Sequence, residues 1–160
     1  MASYRLIIGI IVGIVFSFFT AFFFNMTDIL TIISSGISVL RVAALLVGAN
    51  FDFDMISFLT GAPYIFGFFA PEILAWIFIG YITGTIAKGL RRGVISSALV
   101  VIIVLLFWII LSIFAEVDLM SLFQGAQLTE TLGGIISAFI GVLIGGSVGG
   151  LVSGPYEEFY

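Results

Sequence analysis

The chain has 160 residues, of which 62% are hydrophobic and 9% charged, with a net charge of −4; a soluble domain carries roughly 25% charged residues. That balance describes an integral membrane protein, with the lipid bilayer as its first partner, and argues against a nucleic-acid partner. Cysteine and histidine are both absent. Their absence removes disulfides, thiolate metal sites, and the commonest metal ligand and general base, so no enzymatic activity, resident metal or cofactor is expected.

The first element is the run from Leu6 to Phe24, nineteen apolar or small residues behind Arg5, close to the roughly 20 residues that cross a bilayer. A secretory leader has a shorter apolar core and ends in small residues, whereas phenylalanines end this one, so it reads as a retained first span, 6–24. Within it Gly9, Gly13, Ser17 and Ala21 recur at a spacing of four. Asn25-Met26-Thr27 follows as a glycosylation acceptor pattern beside the membrane.

Residues 25–71 are too apolar for an ordinary loop. If 29–47 is one helix, Thr31, Ser34, Ser35, Ser38 and Arg41 gather on one arc and Leu30, Ile33, Ile37, Leu40 and Ala44 on the next. An arginine at the bilayer centre costs about 2.5–3.5 kcal/mol on insertion scales. The following MISFLTGAPYIFGFF is broken by Gly61 and Pro63. An interfacial or re-entrant segment is therefore expected over 25–71; the alternative is that both halves insert, giving six spans. Phe22, Phe23, Phe24, Phe51, Phe53, Phe58, Phe66, Phe68 and Phe69 suggest an aromatic layer at that boundary.

Three further spans are expected at 72–87, 94–114 and 132–152. Pro71 followed by Glu72 is a helix-start signal. Arg5, Lys88, Arg91 and Arg92, four of the five basic residues, fall on one side of a four-span topology, which the positive-inside rule makes cytoplasmic. Both termini then lie inside and the protein is a multi-pass protein of the cell membrane. Seven of the nine acids (Asp28, Asp52, Asp54, Glu72, Glu116, Asp118 and Glu130) fall outside, leaving Glu157 and Glu158. The fold class is an all-α membrane bundle forming one domain over 1–160.

The last span holds two rows of small residues at a spacing of four. One is Gly133, Ser137, Gly141, Gly145, Gly149 and Ser153; the other includes Gly134, Gly146, Gly150 and Gly154. Gly80 and Gly84 repeat the spacing in the second span. Such rows let helices approach backbone to backbone, and two adjacent rows exceed what one partner helix needs.

Asp52 and Asp54 in NFDFD resemble the DxD metal-binding pattern of some glycosyltransferases, but no soluble segment is long enough for a nucleotide-sugar site. Proteolipid subunits of rotary ATPases share the length and the glycines, yet need a carboxylate in mid-span that 94–114 and 132–152 lack. Two functions remain as expectations. One is a non-catalytic accessory subunit that docks on other membrane subunits or on a second copy through its small-residue helices. The other is a small-solute transporter or channel component, with Arg41, Asp52, Asp54 and Glu72 as the polar site on its path.

Overall fold

The computed structural model describes residues 3–34, 36–61, 65–118, 120 and 123–155, all in helices, turns or irregular backbone with no strand among them. Four stretches are long and apolar enough to cross a membrane: Tyr4–Phe24, Val39–Thr60, Leu90–Phe114 and Gln127–Val152. They are consistent with a multi-pass membrane protein.

α1 (Ser3–Phe24), α5 (Pro71–Ala87), α6 (Leu90–Phe114) and α7 (Gly125–Val152) form the bundle. Among the described residues between α1 and α5 lie three short α-helices, α2 (Met26–Ser34), α3 (Val39–Gly48) and α4 (Met55–Thr60), and 3-10 turns at Ala49–Phe51 and Ile65–Phe69. α5 differs from the expected span 72–87 in standing. Its 17 residues reach only about 26 Å, short of the roughly 30 Å hydrocarbon core. Its place among the long apolar stretches is taken by Val39–Thr60, which is composite: α3, a 3-10 turn at Ala49–Phe51, non-helical Asp52–Asp54, then α4.

The continuous helix over 29–47 does not form. Gly36 takes φ 75° after α2, a conformation glycine adopts at no steric cost. Ser38 then caps α3 by accepting from the Arg41 N–H. The polar and apolar arcs drawn across that break therefore belong to two separate helices. Ser35, Pro63, Tyr156, Glu157, Glu158 and Tyr160 lie outside the described residues.

Helix directions follow from the contacts. Along α7, Gly141, Gly145 and Gly149 meet Trp76, Ile77 and Tyr81 of α5 in ascending order, so α5 and α7 run parallel. α6 returns antiparallel after a two-residue turn, Lys88 and Gly89, with φ 55° and 83°. Gly13 of α1 meets Thr83 of α5 and Val100 of α6. One end of the bundle thus gathers Arg5, Lys88, Arg91 and Arg92, and is termed the basic end. Asp52, Asp54, Glu72, Glu116, Asp118 and Glu130 belong to the other, acidic end. Arg91 and Arg92 sit at a helix N-terminus, where the dipole disfavours cations, so their placement is not explained by helix stability.

Without water between them, membrane helices gain little from apolar burial, and close van der Waals packing must hold them. α5 is apolar nearly all round and, besides Pro71 at its start, exposes a stripe, Leu74, Phe78 and Tyr81, at i, i+4 and i+7; Ile73, Trp76, Ile79, Thr83 and Ala87 are enclosed.

Candidate functional site

The small-residue positions are almost all occupied within the chain. An added Cβ at Gly145 would run into the Ile77 carbonyl, and one at Gly149 into the Tyr81 carbonyl. Gly141 lies against Trp76, with 2.7 Å from its would-be Cβ to the indole's Cβ. That row faces α5. The second row faces the α5–α6 corner: a Cβ added at Gly146 would meet Ser97, one at Gly150 would stand 2.7 Å from the Gly89 carbonyl oxygen, and those at Gly80 and Gly84 would stand 2.6 and 2.5 Å from the Val142 and Gly146 carbonyl oxygens. Gly9, Gly13 and Ser17 of α1 are buried; Gly9 and Gly13 face Thr83 of α5, and Ser17 donates to the Ile14 carbonyl. Ser137 is buried and donates to Gly134 O at 2.7 Å.

Three positions of those rows have other roles. Gly154 lies past the end of α7 with φ 75° and open space where a Cβ would stand, so it is a C-terminal cap rather than a docking position. Gly133 and Gly134 receive the chain between α3 and α4: a Cβ on Gly133 would strike the Asp54 carboxylate, and one on Gly134 the Phe51 carbonyl.

That inserted segment dips into the acidic end. Phe51 leaves the aromatic boundary, stacks on Trp108 with ring centroids 5.5 Å apart, and packs against Trp76 at 5.6 Å. Trp76 Nε1–H donates to the Asn50 carbonyl at 2.7 Å, and Asn50 Nδ2 donates to Val47 O at 3.2 Å. These bonds satisfy backbone that has left the helix, as polar backbone groups buried among apolar side chains require. Among the other phenylalanines, Phe23 pairs with Phe24, Phe53 with Phe58 and Phe68 with Phe69.

Beside the segment lies a cleft of about 470 Å³. α3 contributes Leu45 and Gly48, and the 3-10 turn and its end contribute Phe51 and Asp52. Trp108 and Ser112 come from α6, and Gln127, Glu130 and Thr131 from the first two turns of α7. No lysine or arginine stands among these described lining residues.

Of the four expected polar-site residues, Asp52 lines the cleft, and Glu72 in the first turn of α5 is near enough for the two charges to repel. Asp54 caps α4 instead: it accepts from the N–H groups of Ile56 and Ser57 at 2.9 and 3.1 Å and from the Ser57 hydroxyl. Arg41 is exposed in the first turn of α3, the opposite end of that helix from Asp52. Asn25 turns its Nδ2 onto the Ala21 carbonyl at 3.2 Å.

Two buried hydroxyls among the described residues lack a hydrogen-bond partner, that of Thr83 in the seam between α1 and α5 and that of Ser112, a residue 1% exposed, beside the cleft. Four other buried helical serines, Ser17, Ser96, Ser97 and Ser137, donate to the carbonyl three residues back. A buried hydroxyl without a partner costs about 1–3 kcal/mol. Ser112, Gln127, Glu130 and Thr131 were not expected as site residues; the signal was the i, i+3, i+4 spacing of the last three at a helix start and Ser112 one turn after Trp108. No group of three or more acidic residues with metal-site geometry occurs among the described residues.

Compared with protein-family models, with curated proteins and with solved structures, the chain finds no match in any of the three.

Proposed function

We propose that the chain is a membrane-embedded solute-binding protein, the carrier or channel component of a small-solute transport process, loaded from its acidic end. The observation that carries this reading is the cleft beside broken backbone, walled by Asp52, Glu130 and the unpartnered Ser112. Interrupted helices at membrane depth are a recurring way to present polar groups to a solute. The four cations at the other end orient that end to the cytoplasm under the positive-inside rule, so the cleft opens outward. At the basic end the helices pack backbone to backbone, so a solute bound in the cleft has no open path through.

The test is flux in proteoliposomes. Gln127→Cys places a thiol in the cleft wall of a cysteine-free chain, and Val148→Cys places one on the exposed surface of α7. Solute flux blocked by a bulky maleimide at position 127 and untouched at 148 is the expected result. Absence of flux for every small cation, neutral solute and anion tried removes the transport reading.

An accessory role in a larger membrane assembly is the second reading. Its first argument was the surplus of small-residue rows, and both rows have partners within the chain. What favours it now is an apolar groove of about 450 Å³ between α1 and α5, with Phe16, Phe19, Phe23 and Phe78 in its walls. Native mass spectrometry in mild detergent distinguishes the two: foreign subunits at fixed stoichiometry support assembly, and this chain alone supports the carrier.

A further inference from the structure

Resting on the solute-binding reading, we infer that the ligand of the acidic-end cleft is a small organic cation, an ammonium compound of a few carbon atoms. Three features of the wall agree on the sign of its charge, and a fourth, Ser112, adds a neutral polar group beside them.

The first is electrostatic. Asp52 and Glu130 bring two carboxylates to the cleft, Glu72 adds a third negative charge close to Asp52, and the described lining contains no cation to neutralise them. A ligand bearing positive charge relieves that repulsion; an anion adds to it. The second is the backbone. α3 ends at Gly48 against the cleft, and the C-terminus of a helix carries partial negative charge that favours cations.

The third is aromatic. Trp108 stands in the wall with one face stacked on Phe51, whose ring also meets Trp76, and the outer face of a tryptophan so placed attracts ammonium groups more strongly than other rings do. A bare divalent ion would leave this aromatic surface unused and would find too few oxygens, since calcium takes 6–8 ligands and no three acids among the described residues stand close enough together to hold a metal ion. The fourth is Ser112. Its hydroxyl has abandoned the intrahelical bond that the other buried serines make and is left without a partner in the wall. A ligand that carries a hydroxyl or N–H group would give it one once the buried side chain turns toward the cleft. The cleft volume of about 470 Å³ lies within the roughly 300–1,000 Å³ of small-molecule sites.

The test uses the full chain in lipid nanodiscs and follows tryptophan emission, because one of the two tryptophans, Trp108, is in the wall and the other, Trp76, packs on the same Phe51. The probes are choline and butylammonium, the uncharged carbon isostere 3,3-dimethylbutan-1-ol, butyrate and calcium chloride. Saturable responses to the two ammonium probes are expected, with none from the alcohol or butyrate. Asp52→Asn and Glu130→Gln should each weaken binding about tenfold or more, while Asp52→Glu retains it. Both acids are exposed to the cleft rather than packed in the core, so size-exclusion elution should be unchanged, and that is checked for each variant.

Equal binding of the alcohol or butyrate, insensitive to Asp52→Asn but lost in Ser112→Leu, overturns the cation assignment and leaves the solute cleft standing. A response to calcium alone overturns it in favour of an inorganic ion. No response to any probe, in protein whose flux is still blocked by modification at position 127, also overturns the cation assignment while sparing the carrier; failure of that flux experiment as well removes both.

Discussion

At the basic end, α5, α6 and α7 meet through Gly84, Gly93, Gly146 and Gly150, where backbone lies on backbone. At the acidic end the same three helices are spaced by Trp76, Trp108 and the inserted Phe51. The first arrangement leaves no room for a ligand and depends on the absence of side chains. The second depends on large side chains and leaves a polar cleft beside them. A closed seam and an open cleft are thus two consequences of side-chain size along the same helices.

The largest break in that contrast should come from Gly145→Leu. Its side chain would have to displace the Ile77 carbonyl, a fixed backbone atom, so the cost should reach or exceed the roughly 1–3 kcal/mol of an overpacked core. Loss of monodisperse protein in mild detergent is expected, while Val148→Leu, at a position 46% exposed, should behave as the parent. Equal behaviour of the two would remove the seam argument.

Gly134→Ala is the intermediate case and sharpens the comparison from the other side. The new methyl group meets the Phe51 carbonyl, so the inserted segment should shift at a cost of about 1–3 kcal/mol while the helical seam persists. A changed tryptophan emission with unchanged elution volume would report this, whereas unchanged emission would show that the segment is not seated on α7. The smallest effect is expected from Lys88→Gly. Lys88 holds φ 55° in the α5–α6 turn, and relieving such strain should raise stability by about 1 kcal/mol, seen as a higher unfolding temperature.

The helical segments 6–24, 94–114 and 132–152 were legible because long apolar runs have few alternatives in lipid. Pro71 and Glu72 marked the start of α5 for the same local reasons the structure uses. The interrupted course of 25–71 was legible only as a choice between surface and insertion, because its apolar content suits both. Its depth depends on Gly133 and Gly134, eighty residues away, vacating the space that Asp54 and Phe51 fill. The cleft was legible in one residue, Asp52. Glu130 counted only as an outer acid ahead of the span 132–152, whereas α7 starts at Gly125 and takes it into the helix, and the missing hydrogen bond of Ser112 has no sequence signature.

The brevity of α5 has a consequence for the surrounding lipid. Its 17 residues against the 28 of α7 leave a difference of about 16 Å along the axis, and the pieces between residues 39 and 60 occupy that missing height. Hydrophobic thickness at this end is therefore made up by fragments held through aromatic contacts and one indole bond, not by continuous helix. A bilayer too thick or too thin for the bundle strains those fragments before it strains the glycine seam, so membrane thickness acts on the mouth of the cleft.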